Sequence, residues 1–304
     1  MTAGAGTGRI AGQARNDGVG GLGELAFVFD GSLEGLLSAV FVAYAEKLDP
    51  CDIVRPENLQ PRLGQAVREV ATDIERALRV QKGICKNCGP SVFEAVKAAS
   101  LSDDPDIGTV VYRFLRYALE KNSPRDCAAC RNRARCGGLC TREHARSVLS
   151  DLVHPSVEPF VAAHRAVYNE RHRIMQFLRF EQVEGGVWFA QCNPKASVVP
   201  LVMDWFASRF NTQAFMVYDE AHRLAGVYEG REWYLVKTDL VAVPERTPDE
   251  LVMQQAWKRF YQTIAVESRY NPELRRQFMP KRLWKNIVEM QEDLPASTAI
   301  RRSR

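Results

Sequence analysis

The alternation of apolar and polar residues predicts a chain that is helical in its first half and rich in strands in its second half. A short apolar run at residues 24–30 predicts a strand, and Gly31 predicts a turn into a helix capped by Ser32. The apolar residues of that helix recur at the spacing of one helical face: Leu33, Leu36, Leu37, Val40, Phe41 and Tyr44. The same periodicity predicts helices at residues 61–80, ended by Gly83, and at 91–100, 107–121, 143–150 and 156–175.

The pattern changes at residue 176, where polar and apolar positions begin to alternate as in a half-buried strand. Glu184-Gly185-Gly186 predicts a hairpin turn. Strands are expected at residues 176–183, 187–192, 214–219, 224–228 and 232–237, with helices at 197–209 and from 247 or 248 to 269. We therefore predict an α+β fold, an antiparallel meander sheet flanked by helices, to which the strand around Phe27 adds a sixth strand.

This division predicts one folded domain over residues 24–290, with a helical layer at 24–175 and a sheet-rich part at 176–290. Residues 1–23 are rich in Gly, Ala and Arg without apolar periodicity, which predicts disorder, and residues 291–304 are expected to form a basic flexible tail.

Four cysteines fall within a fourteen-residue segment: Cys127, Cys130, Cys136 and Cys140. Apolar packing requires no such spacing, whereas four thiolates suit zinc or an iron–sulfur cluster. Structural zinc sites usually separate two cysteine pairs by a dozen or more residues, so this compact segment, residues 125–142 with its flanking arginines, favours a [4Fe-4S] cluster, with zinc as the alternative. Cys85 and Cys88 could complete the site, which leaves one cluster or two open, and unligated thiols are the remaining interpretation. Cys51 and Cys192 are isolated and are expected to be small buried hydrophobes.

Composition and charge limit the class of protein and the compartment that the sequence predicts. The 304 residues are 46% hydrophobic, enough for a sizeable core, and no run approaches eighteen apolar residues. The N-terminus lacks the charged and apolar regions of a secretory signal, so we expect a cytoplasmic protein, in which eight cysteines favour metal binding over disulfides. The net charge of +4 is mild, and only its local distribution can indicate a polyanionic partner.

Basic residues concentrate between Ala256 and Lys285, where eight Lys or Arg stand against two Glu and alternate with aromatic residues. This pattern suits phosphate contact and base stacking, although for residues 248–268 alone we favour an ordinary amphipathic helix with its aromatics in the core. The segment Met279–Lys285 predicts a compact anion site. With a second basic group near residue 173, the candidate nucleic-acid contacts are Arg173, Arg179, Lys281, Arg282, Trp284 and Lys285.

Catalytic candidates are fewer. Asp30 and Glu34, one helical turn apart, could form a carboxylate pair, although acidic residues at such turns are mostly caps. His172 could bind phosphate or act as an acid, and Asp219 is explained by a turn at the end of a strand. The sequence contains no P-loop, dinucleotide fingerprint, nucleophile elbow or H-E-x-x-H motif.

Several stretches together resemble a known family: Phe29–Phe41, His172-Arg173 with Phe177–Phe180, Phe210, Tyr218-Asp219 and Met279–Lys285. These are similar to bacterial DNA-metabolism proteins encoded beside a radical SAM protein of proposed DNA repair or modification role. Longer members carry a uracil-DNA glycosylase-like domain, which this chain lacks, and the cysteine segment departs from the family pattern. That segment itself resembles the C-x2-C-x5-C-x3-C run of SPASM domains, which hold auxiliary [4Fe-4S] clusters, and its first part resembles the iron–sulfur staple of RecB-like nucleases. The SPASM resemblance implies that Cys140 could serve a second cluster with Cys85 and Cys88.

Three hypotheses follow. The favoured one is a DNA-metabolism accessory protein that binds nucleic acid, acts with a radical SAM partner and carries a cysteine-ligated iron–sulfur cluster. The second is a DNA-processing enzyme, a nuclease or base-processing activity, using Asp30, Glu34 and His172. The third is an interaction module stabilised by zinc.

Overall fold

The computed structural model describes residues 25–121, 148–239 and 241–293, which form two sheets, each packed against helices. Four helices accompany the first sheet: α1 at Leu33–Ala45, α2 at Ile74–Asn87, α3 at Pro90–Ala99 and α4 at Ile107–Lys121. Four more belong to the second half: α5 at Glu158–Phe177, α6 at Val199–Phe210, α7 at Pro248–Ile264 and α8 at Pro272–Phe278. No helix in these ranges is both long and apolar enough to cross a membrane.

The first sheet has three parallel strands, with β1 at Leu25–Val28 between β2 at Asp52–Val54 and β3 at Ala66–Glu69. Helix α1 returns the chain from β1 to β2, and such a crossover makes neighbouring strands parallel. The helix starts where the sequence predicts, because the Ser32 hydroxyl accepts a hydrogen bond from the Gly35 N–H at 2.9 Å.

Aromatic packing joins the two halves. The rings of Phe114 on α4 and Phe160 on α5 are both fully buried and lie stacked with their centroids 3.8 Å apart. A further link is the backbone hydrogen bond from Ser197 to the Leu101 carbonyl at 3.0 Å. The second half is therefore anchored on the helical layer of the first.

The second sheet has five strands in chain order: β4 at Glu181–Val183, β5 at Val187–Cys192, β6 at Phe215–Asp219, β7 at Leu224–Tyr228 and β8 at Trp233–Lys237. The β4–β5 hairpin turns at Gly185 and Gly186, whose φ angles of 87° and 76° favour glycine. Strands β5 and β6 are parallel because α6 crosses between them, and the other pairs are antiparallel.

Helix α6 lies so close to β7 that Gly226 has no room for a side chain. A Cβ built at Gly226 would lie 2.4 Å from Met203 Sδ and 2.9 Å from Val199 Cγ1. Beside this contact, the short helical turns Lys281–Asn286 and Val288–Asp293 insert apolar side chains into the same core: Leu283, Trp284, Ile287 and Met290. The end of the described chain is thus part of the second core.

The α+β prediction is confirmed, but the meander is wrong in two respects. The β5–β6 pair is parallel, and the strand containing Phe27 belongs to a separate parallel sheet. Strand pairing depends on contacts distant in sequence, which the local alternation of residues does not determine.

The helix predicted at residues 61–80 is confirmed at residues 74–80, which lie in α2, and is wrong at residues 61–73. Leu63 is fully exposed and Val67 is 42% exposed in β3, so their spacing does not mark a buried helical face. Asp73 accepts a hydrogen bond from the Arg76 N–H at 3.1 Å and caps α2, which runs through Gly83 and ends at Asn87. A glycine in mid-helix costs about 1 kcal/mol, a penalty that packing at Ala77 and Ile84 can offset.

Candidate nucleic-acid interface

Helix α7 and the segment that follows it expose aromatic rings to solvent. Trp257 is 44% exposed and Phe260 51%, and beyond α7 Tyr270 and Phe278 reach 62% and 71%. The Trp257 and Phe260 ring centroids are 5.7 Å apart. The preference for aromatics buried in the core over residues 248–268 is therefore wrong for Trp257 and Phe260, although Tyr261 packs against the second core.

Cations stand among these rings. Arg259, Arg269, Arg276 and Lys281 are exposed on the same stretch of chain. The Arg275 guanidinium lies 5.4 Å from the Tyr270 ring centroid and 4.7 Å from that of Trp284, a cation–π arrangement that ties α8 to the core. We call the exposed aromatic and basic residues of 257–281 the α7–α8 face.

The compact anion site predicted at Met279–Lys285 does not form in the described structure. Trp284 is 3% exposed and donates its indole N–H to the Met279 carbonyl at 3.0 Å, so its ring cannot stack on a base. Arg282 and Lys285 instead pair with the carboxylates of Glu170 and Glu220. Of the candidates Lys281, Arg282, Trp284 and Lys285, Lys281 is the exposed one, because the helical turn Lys281–Asn286 directs the other three side chains toward the protein.

Glu170 is the centre of a buried charge network. Its side chain is 2% exposed, and it accepts hydrogen bonds from the Lys195 N–H at 3.0 Å and from the Arg173 guanidinium at 3.3 Å, in addition to Arg282. Arg173, a sequence candidate for phosphate contact, is thus engaged with a carboxylate. His172 lies exposed on α5, with Nε2 2.9 Å from Gln176 Nε2.

Asp30 is fixed by hydrogen bonds. Its carboxylate accepts from the Ser32 N–H at 2.9 Å, from the Ser32 hydroxyl at 2.5 Å and from Thr72 Oγ1 at 2.8 Å. Partial burial alone would raise its pKa, but these bonds outweigh burial and lower it. A carboxylate held ionised is a poor general acid, and Glu34 is an exposed residue in the first turn of α1.

A histidine that the sequence does not single out connects the two halves. His222 Nδ1 lies 2.6 Å from Asp219 Oδ2, and its Nε2 lies 2.7 Å from Asp103 Oδ1 in the first half. Burial alone would lower the pKa of His222, but the two aspartates raise it to about 9. Asp219 forms the predicted turn, accepting from the Ala221 and His222 N–H groups, and it also holds this imidazolium.

A pocket of about 470 Å³ lies beside the α7–α8 face, between β4–β5, α7 and the last helical turns. Its lining residues come from three separate stretches of chain: Arg179, Phe180, Glu181, Phe189, Gln191, then Arg246, Glu250, Met253, Gln254, Trp257, then Lys285, Asn286, Val288, Glu289 and Gln291. The sequence candidate Arg179 lies here, donating to Glu289 Oε1 at 2.9 Å. Lys285 is the other sequence candidate in the lining, and none of the remaining lining residues is a site candidate from the sequence.

The predicted metal ligands are mostly outside the described residues. Cys127, Cys130, Cys136 and Cys140 fall between residues 122 and 147. Cys85, in the last turn of α2, is partly buried, and burial together with the Glu94 carboxylate raises the pKa of its thiol. Cys88 is fully buried at the end of the same helix. Within the described ranges no three His, Cys, Asp or Glu side chains come together as metal ligands.

Fold and surface together define an α+β protein whose second half carries an exposed aromatic and basic face, on α7 and α8, with an adjoining pocket. Residues 138–289 match DUF4130, a domain of unknown function, and the chain belongs to this family. The matched range contains the second sheet, the α7–α8 face and the whole pocket lining except Gln291.

No curated protein matches the chain. Among solved structures, the pGpG-specific phosphodiesterase PggH from Vibrio cholerae aligns over 73% of this chain and 84% of its own, at 11% sequence identity and a TM-score of 0.24. A superposition at that score supports no conclusion about fold or function.

Proposed function

We propose that the protein is a DNA-metabolism accessory protein that binds single-stranded nucleic acid through the α7–α8 face and acts with a radical SAM partner. The observation that carries the binding proposal is the exposure of Trp257, Phe260, Tyr270 and Phe278 among exposed cations. Stacking on such rings contributes roughly 1–3 kcal/mol per base, and basic side chains between them follow the phosphates. The partner is proposed on the family resemblance alone.

The number of exposed cations sets the expected salt dependence. If Arg259, Arg269, Arg276 and Lys281 each neutralise one phosphate, the slope of log K against log salt for a single strand is about −3. Binding should then weaken about fifty-fold between roughly 50 and 200 mM salt.

Fluorescence anisotropy with a labelled oligothymidine tests this proposal. Trp257→Ala with Phe260→Ala should weaken binding at every salt concentration and leave the slope unchanged. Arg259→Ala with Arg276→Ala should flatten the slope. Arg223→Ala is the matched control, since its side chain is 69% exposed but pairs with Asp239 elsewhere on the second sheet. Binding that is absent, or equal in all variants, would reject the proposal.

A protein-docking role is the second candidate, because the early turns of α7 expose aliphatic side chains without cations. Leu251, Val252 and Met253 are 47%, 64% and 65% exposed. Exposed apolar patches of this kind often mark protein contacts. A complex with the radical SAM partner that resists high salt and is lost in Val252→Asp would support this role, and it is compatible with nucleic-acid binding farther along the face.

We also propose that Cys127, Cys130, Cys136 and Cys140 hold a [4Fe-4S] cluster, with zinc as the alternative metal. In a two-cluster arrangement, Cys85 and Cys88 would ligate the second cluster together with Cys140. The proposal rests on cysteine spacing. Iron, zinc and sulfide analysis of protein purified without oxygen distinguishes the two metals.

An independent enzymatic role for Asp30, Glu34 and His172 receives no support from their geometry, because the Asp30 carboxylate is occupied by Ser32 and Thr72. Incubation of the isolated protein with lesion-bearing oligonucleotides tests this directly. Turnover that is lost in Asp30→Asn but retained in Glu57→Gln, a change at an exposed residue after β2, would restore the enzymatic hypothesis.

A further inference from the structure

The pocket beside the α7–α8 face shares Trp257 with that face, so a strand lying along α7 passes its opening. Phe180 and Phe189 add aromatic surface, and four amide side chains supply donors and acceptors: Gln191, Gln254, Asn286 and Gln291. Its volume of about 470 Å³ is within the range typical of small-molecule sites, roughly 300–1,000 Å³. Aromatic walls with convergent amides suit a planar, polar ring.

The charges that line the pocket balance. The cations are Arg179, Arg246 and Lys285, and the carboxylates are Glu181, Glu250 and Glu289. Arg246 pairs with Glu181, and Lys285 pairs with Glu220 outside the pocket. Glu250 accepts from the Gln182 N–H at 3.1 Å and from the Gln254 amide at 2.8 Å. A lining without net charge favours an uncharged group over a phosphate.

Glu289 lines this space, and its carboxylate includes a buried acceptor. Its side chain is 6% exposed, and Oε1 accepts from Arg179 at 2.9 Å. The second oxygen, Oε2, is buried without a hydrogen-bond partner among the described residues. A buried acceptor left unpaired costs roughly 1–3 kcal/mol, so a ligand that donates an N–H to Oε2 would remove that cost.

We infer that this pocket takes one nucleobase of a bound strand, turned out of the stack, whose N–H donates to Glu289 Oε2. The inference rests on the proposed single-strand binding and adds to it a base-reading site. Base extrusion costs a few kcal/mol in a duplex and least in a single strand, which matches a pocket placed beside a single-strand face. The phosphates stay outside, on the cations of the α7–α8 face.

Thymidine and N3-methylthymidine test the donor requirement, because the methyl group removes the N–H at the Watson–Crick edge. Each nucleoside is titrated into the full-length protein while tryptophan fluorescence is followed. We expect thymidine to quench with little dependence on salt and N3-methylthymidine to bind about tenfold more weakly or worse. In Trp257→Phe the quench should disappear, which locates the nucleoside. This comparison is made first on the unmodified protein and so does not depend on how a variant folds.

Glu289→Gln keeps the shape of the side chain but can place an N–H donor where Oε2 accepts. It should therefore abolish the preference for thymidine over N3-methylthymidine. Glu273→Gln, an exposed acidic position on α8 outside the pocket lining, is the matched control and should keep it. The same preference should be seen in oligothymidines whose central residue is thymidine, N3-methylthymidine or abasic.

The outcomes separate the two proposals. An oligothymidine that binds with the expected salt slope, while the central base makes no difference and free thymidine does not bind, would overturn the pocket inference and keep the proposed function. Thymidine binding without any strand binding would overturn the proposed function and, with it, the extrusion of a base from a strand. Equal affinities for thymidine and N3-methylthymidine would reject Glu289 as the acceptor.

Discussion

Arg282→Ala should destabilise the fold, although the sequence pattern assigns this arginine to nucleic-acid contact. Its guanidinium pairs with Glu170, whose side chain is 2% exposed, and donates to the Asn193 carbonyl at 3.2 Å. Without Arg282, the buried Glu170 carboxylate keeps its negative charge but loses one of its cationic partners. Lys281, one residue earlier, is exposed and provides the contrast.

The magnitude follows from the remaining partners of Glu170. Removing one member of a fully buried ion pair costs roughly 3–5 kcal/mol. Here Arg173 remains at 3.3 Å and the Lys195 N–H at 3.0 Å, and the Arg282 side chain is 23% exposed. We therefore expect a loss of about 2 kcal/mol in the free energy of unfolding, equivalent to a fall of about 4–8 °C in Tm for a protein of this size.

Differential scanning calorimetry and urea titration measure the effect. Lys281→Ala should change stability by less than about 0.5 kcal/mol and reduce the salt slope of oligothymidine binding by about 0.7. Glu170→Gln introduced into Arg282→Ala should recover part of the loss, because the buried charge is gone. Unchanged stability in Arg282→Ala, together with weakened oligothymidine binding, would refute the structural assignment and return this arginine to the binding surface.

Three further outcomes are expected. The pKa of His222 is raised to about 9 from an ordinary 6.5, so the protonated imidazole stabilises the fold fully below pH 6.5, and this stabilisation is lost as the pH rises through 9. The free energy of unfolding of the wild type, measured by urea titration, should therefore fall by about 2 kcal/mol over this interval after discounting for solvent, whereas that of His222→Gln should stay level. Gly226→Ala should destabilise by about 1–3 kcal/mol because its Cβ would lie 2.4 Å from Met203 Sδ, and an unchanged urea midpoint would show that Met203 moves freely. Cys127→Ala and Cys136→Ala should each lose metal and keep oligothymidine binding, since the proposed binding face lies at residues 257–281, and full metal content in both would exclude them as ligands.

Local patterns predict elements well where capping and periodicity agree. Helix α4 spans Ile107–Lys121 as expected, Ser32 caps α1, and β5 and β7 lie at their predicted positions. The helix predicted at residues 61–80 does not form over residues 61–73. The apolar residues there follow a helical period but form no buried helical face, and residues 66–69 pair with β1 as strand β3. That pairing joins residues some forty positions apart, beyond the reach of any local pattern.

The pocket could not be predicted from the sequence, because the residues that line it are far apart along the chain. Its lining combines residues 179–191, 246–257 and 285–291, and each stretch alone is an ordinary strand, helix or turn. Of the sequence candidates only Arg179 and Lys285 line it, and both are basic residues chosen for phosphate contact. The buried Glu289 acceptor, which gives the pocket its specificity in our proposal, lies in a turn that the sequence pattern leaves unassigned. The predicted domain limits and cysteine ligands stay predictions.

Burial of the neighbouring residues determines which basic residues pair with carboxylates of the protein and which stay exposed to solvent. Near residue 282 the chain enters the second core at Leu283 and Trp284, so the flanking Arg282 and Lys285 are held close to the body of the protein and meet Glu170 and Glu220. On α7, which has no buried residue, Arg259 is exposed and lies in the same helix as the exposed rings of Trp257 and Phe260. A stretch whose charges and aromatics are both left in water cannot be explained by packing. Exposed cations that alternate with exposed rings are the pattern on which we base the proposal that this face binds a polyanion that carries bases.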